Sequence, residues 1–253
     1  MLRPATPLQR LWLRTLHRFG RLLMRTVYRL RTRGFEDLPD GAAVLVSNHV
    51  SFIDFMFVGV ALPEVPRYVM HHHHWRYAPL RWFFRSARVI PIAPRKESPE
   101  LLARAMEAID AALARGEKVL IWPEGGMTPD GEIRVFRPGV ERIVARREVP
   151  VIPIAIRGAW QSALSRNGGE PLTKLPRRVR LPIELVADPP VSAPLVDASR
   201  LRARIDESHD SRLTFQARQL IADELKVPIG DVEAMELRLS ANDQSLNAPV
   251  GLE

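Results

Sequence analysis

The sequence contains no cysteine. That absence excludes disulfides, thiolate metal centres, haem attachment and cysteine nucleophiles, and it fits a reducing compartment. There is no Gly-x-Gly-x-x-Gly either. Gly126 and Gly131 have the spacing of a phosphate-binding loop, but Glu132 and Ile133 stand where lysine and serine or threonine are required, so nucleotide binding is unsupported. A Gly-x-Ser-x-Gly elbow is also missing, which leaves a hydrolase-type serine nucleophile without its strand-to-helix turn. No run approaches the roughly 20 apolar residues that span a bilayer, and arginines interrupt the N-terminal stretch that a secretory signal would keep apolar. A membrane, if the chain meets one, is met from its surface. Acidic residues are in deficit, 29 against 37 basic ones, and the net charge of +8 draws the surface toward anions: nucleic acid, anionic lipid or an acidic protein.

What is present is enough for a sizeable core, since 46% of the 253 residues are apolar. From about residue 8 to 30, Arg10, Arg14, Arg18, Arg21, Arg25 and Arg29 recur every three or four positions, with Trp12, Leu16, Phe19, Leu23, Val27 and Leu30 opposite them. This spacing predicts a basic amphipathic helix, suited either to lie on an anionic membrane or to pack on its own domain. Thereafter short apolar runs at 43–46, 67–70, 88–92, 118–122, 151–156 and 179–186 alternate with helical stretches. The pattern predicts an α/β fold: a mixed central sheet flanked by helices, with the basic helix in front. One helix is delimited at 99–115 by Ser98 as N-cap, Pro99 in the first turn and Gly116 at the stop, and another is expected at 211–225. Residues 242–253 read as a frayed tail.

Chemistry concentrates where the first predicted strand gives way to the run 52–62. His49 and Asp54 are close enough in sequence for the imidazole to fold back onto the carboxylate, which would fix the tautomer and free the other nitrogen to take a proton from an alcohol. Ser51 and Asp54 also match a capping box, with Ser51 as N-cap. Glu124, in Trp122-Pro123-Glu124-Gly125-Gly126-Met127-Thr128, follows another strand, and Arg137, in Phe136-Arg137-Pro138-Gly139, precedes a predicted helix suited to an anion. The consecutive His71, His72, His73 and His74 are expected to diverge and to form a polar rim, with no metal bound, because no spaced acidic or thiol ligand accompanies them.

In this order, Asn48-His49-x-x-x-x-Asp54, Pro123-Glu124-Gly125, Phe136-Arg137-Pro138-Gly139 and the strand 149–153 resemble the glycerolipid acyltransferase family that includes 1-acylglycerol-3-phosphate acyltransferase. The resemblance covers about residues 44–158. It implies His49 as the base and Asp54 as its partner, with Asn48, Ser51, Glu124, Gly125, Gly126, Arg137 and Gly139 around the acyl acceptor. It implies an acyl thioester donor, on coenzyme A or acyl carrier protein, a lysophospholipid acceptor and no bound cofactor; the basic helix adds an anionic membrane surface as the expected partner, with no nucleic acid. The corresponding organisation is an amphipathic region at 1–36, a catalytic domain at 37–200 and a C-terminal helix with a tail at 201–253, placed peripherally on the cytoplasmic face of a membrane. Relatives that use lysophosphatidate typically have an arginine two residues after the Pro-Glu-Gly glycine, where this chain has Met127, so another cation such as Arg134 or Arg137 takes over or the acceptor differs. The runs 93–99 and 128–133 look like the acyltransferase module of 2-acylglycerophosphoethanolamine acyltransferases, which makes lysophosphatidylethanolamine the second acceptor to test. A reading from another class, a non-enzymatic basic protein that binds membrane or nucleic acid, needs no His49.

Overall fold

The computed structural model describes residues 7–76, 81, 84–171, 173–174, 180–227 and 232. The chain divides into two compact units, Met1–His209 and Asp210–Glu253. The first holds the sheet. Its strands are β1 (Tyr28–Arg33), β2 (Ala43–Ser47), β3 (Arg67–His71), β4 (Ile90–Ile92), β5 (Lys118–Ile121), β6 (Val151–Arg157) and β7 (Leu181–Ala187), in the order β1-β7-β6-β2-β5-β3-β4. Every neighbouring pair is parallel except β6 and β7, so the expected mixed α/β sheet is what forms.

The central strands read as unbroken apolar runs because both faces of the sheet are covered. Alternation sorts their side chains. Ala43 and Leu45 of β2, Leu120 of β5 and Ile152, Ile154 and Ile156 of β6 join one core, packed with Phe57 and Val58 of α2 (Asp54–Ala61). Val44 and Val46, Val119 and Ile121, and Val151 and Ala155 join the other. That second core is closed by α3 (Pro99–Ala114), by α4 (Gly139–Arg146) and by Leu201 and Ile205 at the start of α5 (Ala198–Leu225). Helix α3 has the expected ends: Ser98 Oγ accepts the Leu101 N–H at 3.2 Å, Pro99 opens the helix, and Gly116 turns the chain away at φ +78°.

Several boundaries differ from expectation, and three of the differences are instructive. The N-terminal helix, α1 (Pro7–Val27), stops three residues early, and Tyr28–Arg33 instead pairs with β7, where Tyr28 and Leu30 pack on the core. Helix α5 starts at Ala198 rather than at 211, with the Asp197 carboxylate accepting the Arg200 N–H at 2.8 Å. The strand expected at 88–92 is confined to Ile90–Ile92, and Arg88 before it adopts φ +54°. Val179 and the tail at 242–253 lie outside the described residues.

Helix α1 is not uniformly basic on its polar side. Arg21 Nε and Nη2 donate to the carbonyls of Val60 and Leu62 at 3.1 and 2.9 Å, and His17 Nε2 lies 2.9 Å from the Gly59 carbonyl. These side chains satisfy carbonyls at the C-terminal end of α2, which its own ladder leaves open. With Met24 buried in the same seam, α1 packs on its domain, yet Phe19 and Leu22 remain 60% and 66% exposed. No helix among the described residues is long and apolar enough to cross a membrane.

Candidate active site

Strands β2 and β5 are adjacent and parallel, so the segments leaving their C-terminal ends emerge side by side. This is where open α/β sheets place their ligand crevices. Beyond the β2–β6 ladder, the Asn48 side chain continues the pairing: its Nδ2 donates to the Ile156 carbonyl at 3.1 Å and its Oδ1 accepts the Ile156 N–H at 2.7 Å. Only an amide offers both functions in one fork. Asn48 is fully buried and fixes where the next residue, His49, starts.

His49 Nδ1 lies 2.9 Å from Asp54 Oδ2. The same oxygen accepts the N–H groups of Val50 at 2.7 Å and Ser51 at 2.9 Å, so a single carboxylate oxygen both folds the loop and holds the imidazole. Asp54 is completely buried, and its Oδ1 has no hydrogen-bond partner among the described residues. Burial pushes its pKa above the ordinary carboxylate value, opposed by His49 and the two N–H donors. The expected capping box is only half present. Helix α2 begins at Asp54 with Ile53 at its N-cap, and Ser51 Oγ is buried without a partner among the described residues, so Ser51 is not the cap; the turn formed on Oδ2 displaces the helix start by two residues.

The second loop grips the first through the backbone. Glu124 Oε1 accepts the His49 N–H at 2.7 Å and Oε2 accepts the Arg134 N–H at 3.0 Å, while the Thr128 N–H donates to the His49 carbonyl at 2.9 Å. Glu124 is 2% exposed, and burial raises its pKa from 4.5 to about 7 against those two donors. Gly125 follows at φ +75°, and a Cβ there would come within 2.7 Å of Arg137 Cζ. The guanidinium therefore lies flat over the glycine. Gly125→Ala is expected to lose about 1–2 kcal/mol of stability from the left-handed backbone alone, before any displacement of Arg137. Urea unfolding measures it, and an unchanged midpoint would mean that the turn relaxes freely.

His49 faces a cavity of about 720 Å³. Beside it the ring of Trp122 stacks on the imidazole at a centroid distance of 5.0 Å and an interplanar angle of 30°. Farther in, the walls are apolar: Val69 and Ile92 from β3 and β4, Leu102 and Met106 from α3, Val140 and Ile143 from α4. At the mouth stand Arg137, Arg142, Arg166 and Arg95. Of the residues singled out by sequence, His49, Gly125, Gly126, Arg137 and Gly139 line this cavity, and Met127 does too. Asn48, Ser51, Asp54 and Glu124 lie behind the wall, buried, and act on it through His49 and its loop.

Sequence reasoning did not single out Trp122 as a partner of His49, nor Arg166. An aromatic residue immediately before Pro123-Glu124-Gly125 was a usable signal for the first. Arg166 had none, because it arrives by a long-range contact: the Phe52 N–H donates to the Leu164 carbonyl at 2.9 Å and Ser51 bridges Ser165. The histidine run also departs from expectation. His71, His73 and His74 do line the rim, but β3 ends at His71 and the 3-10 turn His72–Arg76 coils the following residues back instead of splaying them. Glu97, distant in sequence, meets them.

The sequence model of the Acyltransferase family matches residues 29–157. A chloroplastic 1-acyl-sn-glycerol-3-phosphate acyltransferase of Brassica napus is 30% identical over 136 residues, 52% of this chain and 38% of that protein. The 1-acyl-sn-glycerol-3-phosphate acyltransferase of Pseudomonas aeruginosa is 31% identical over 143 residues, 54% of each chain. The match thus spans about half, or less, of these relatives' length. The crystal structure of the 1-acyl-sn-glycerophosphate acyltransferase from Thermotoga maritima superposes with a TM-score of 0.61 over 82% of this chain and 80% of that one. At 19% identity, that likeness concerns the fold.

Proposed function

The chain belongs to the acyltransferase family, and from that premise we propose that it moves a fatty acyl group from an acyl thioester to the hydroxyl of a lysophospholipid in phospholipid synthesis or remodelling. The observation that carries this reading is the juxtaposition of a carboxylate-held imidazole with a cavity that is cationic at its mouth and apolar inside. A thioester's acyl chain suits the inner walls, and a phosphate-bearing acceptor suits Arg137 and Arg166.

His49 acts as general base. With Nδ1 committed to Asp54, its other ring nitrogen takes the acceptor's hydroxyl proton as the oxygen attacks the thioester carbonyl. The tetrahedral intermediate then expels the thiolate, which recovers the proton from His49. Asp54 favours the imidazolium between these steps. Its own charge is penalised by burial, so a cation arriving on His49 is worth more there than at the surface. Coenzyme A or acyl carrier protein serves as donor carrier, and no bound cofactor is required because the thioester is already activated.

The acceptor we favour is 1-acylglycerol-3-phosphate, with Arg137 and Arg166 standing in for the arginine that Met127 replaces. Met127 on the cavity wall keeps 2-acylglycerophosphoethanolamine as the second candidate. A labelled acyl-transfer assay against a panel of lysophospholipids with both thioester donors decides this, with His49→Ala as control. Product from no lysophospholipid would overturn the proposal. A purely membrane-binding or nucleic-acid-binding protein would have no use for the His49–Asp54 pair or for the cavity beside it.

The exposed apolar side of α1, flanked by Arg14, Arg18 and Arg25, suits a peripheral position on the cytoplasmic face of an anionic membrane. Phe19→Glu with Leu22→Glu is expected to weaken partition onto anionic vesicles by about tenfold or more, since two exposed apolar side chains are lost from the contact. Vesicle sedimentation at two salt concentrations reads it, and unchanged partition would remove the helix from the membrane contact.

A further inference from the structure

We propose that His71, His72, His73 and Glu97 form a binding site for one divalent transition-metal ion of the zinc class. His71 Nε2 lies 3.0 Å from Glu97 Oε2, His72 Nε2 3.3 Å from Oε1, and His73 Nε2 3.4 Å from the same Oε1. The ligand atoms of His71, His72 and Glu97 all fall within 4.8 Å of one another. Three successive histidines converge only because β3 ends at the first of them and a 3-10 turn carries the next two. Their rings overlap at centroid distances of 4.4–4.8 Å.

Imidazole nitrogens and one carboxylate oxygen are the donor set that zinc and its neighbours prefer, and three neutral histidines with one carboxylate leave a single net positive charge on a bound dication. Metal–ligand bonds of about 2.0–2.2 Å place tetrahedral donor atoms roughly 3.3–3.6 Å apart, a spacing the His–Glu contacts are already near, so only the wider pairs, up to 4.8 Å, close by roughly an ångström. The side chains of His71, His72 and Glu97 are about one-third exposed and that of His73 one-half, so an ion reaches the cluster from solvent. A metal on Nε2 of His71 places that ring's proton on Nδ1, and the 3.4 Å contact from the His73 N–H to Nδ1 is given up. Glu97 belongs to the turn before α3, its N–H bonded to the Pro94 carbonyl at 2.9 Å. A metal ion therefore ties the end of β3 to the segment entering α3, two parts of the wall of the same cavity, without touching His49. The site stands whether or not the reaction proposed above is right.

The test uses the full chain purified without a polyhistidine tag. Zn²⁺ is titrated in competition with a chromogenic chelator, and Co²⁺ is added separately to read its visible d–d bands. The expected result is one equivalent of Zn²⁺, tetrahedral-type Co²⁺ absorption, and a rise in Tm of about 5–10 °C at a hundredfold excess of Zn²⁺ over its Kd. Glu97→Gln and His72→Ala, each checked for fold by circular dichroism, weaken Zn²⁺ binding by about tenfold or more and abolish the Co²⁺ bands. His49→Ala keeps both signals. Absence of binding at millimolar metal, binding that persists in both cluster variants, or binding lost in His49→Ala overturns the proposal.

Discussion

Alanine at His49 is expected to lower kcat for acyl transfer by about 10²–10⁴-fold, the range typical for loss of a general base. The fold should survive, because the ring is 20% exposed and its backbone contacts, to Glu124 and Thr128, do not depend on the side chain. Asp54→Asn supplies the complementary arm. It keeps an oxygen for the N–H groups of Val50 and Ser51 but no longer favours an imidazolium, so kcat falls with little change in KM. Asp54→Ala is different in kind. It leaves two buried N–H groups and the imidazole without their shared acceptor, and unfolding at lower urea accompanies the loss of activity. Near-wild-type turnover by His49→Ala protein of confirmed purity would sink the mechanism, and the Asn variant would then have nothing to explain.

The parts of this site that were legible in the sequence are those that local physics determines. Ser98, Pro99 and Gly116 bracket a helix because capping and stop chemistry act within a turn or two. The runs through Val44–Val46 and Ile152–Ile156 announced strands because a sheet covered on both faces has no polar side to show. The family resemblance located His49, Asp54 and Glu124. What escaped depends on partners far away in the chain. Leu30 satisfies helical spacing from Val27 and alternate spacing from Tyr28 equally well, and only pairing with β7 decides for the strand. The start of α5 was hidden by its charge, although Ala198, Leu201 and Ile205 already show the buried spacing of one helix face. Ser51 and Asp54 fit a capping box by their spacing, but the imidazole and two amides compete for the same carboxylate oxygen and move the helix start. The family resemblance implied that Glu124 helps to hold the acceptor. Its oxygens are instead spent on the amides of His49 and Arg134, which makes it a positioning residue in the fold.

That position gives Glu124 a measurable pH signature. Its pKa stands at about 7 in the folded chain against an ordinary 4.5, so the folded state holds a proton that the unfolded state has released. Stability from this group is present in full below about pH 4.5 and declines as pH rises through 7, by about 3 kcal/mol over the interval at 1.36 kcal/mol per unit. Glu124→Gln removes the titration and also turns an amide NH₂ toward one of the two N–H donors, at a cost of about 1–3 kcal/mol for the unmet hydrogen bond. The variant is therefore expected to be the less stable protein at pH 5, with the gap closing by about 2.5 kcal/mol by pH 8. Comparing the two proteins cancels the titrating groups away from Glu124, and the pH dependence that remains belongs to Glu124 and to the His49 and Asp54 charges coupled to it. Urea unfolding at pH 5, 6, 7 and 8 measures the gap directly. A constant difference across that range would mean that the two amide donors hold the carboxylate ionised throughout, and that burial does not control the charge of the residue on which the His49 backbone rests.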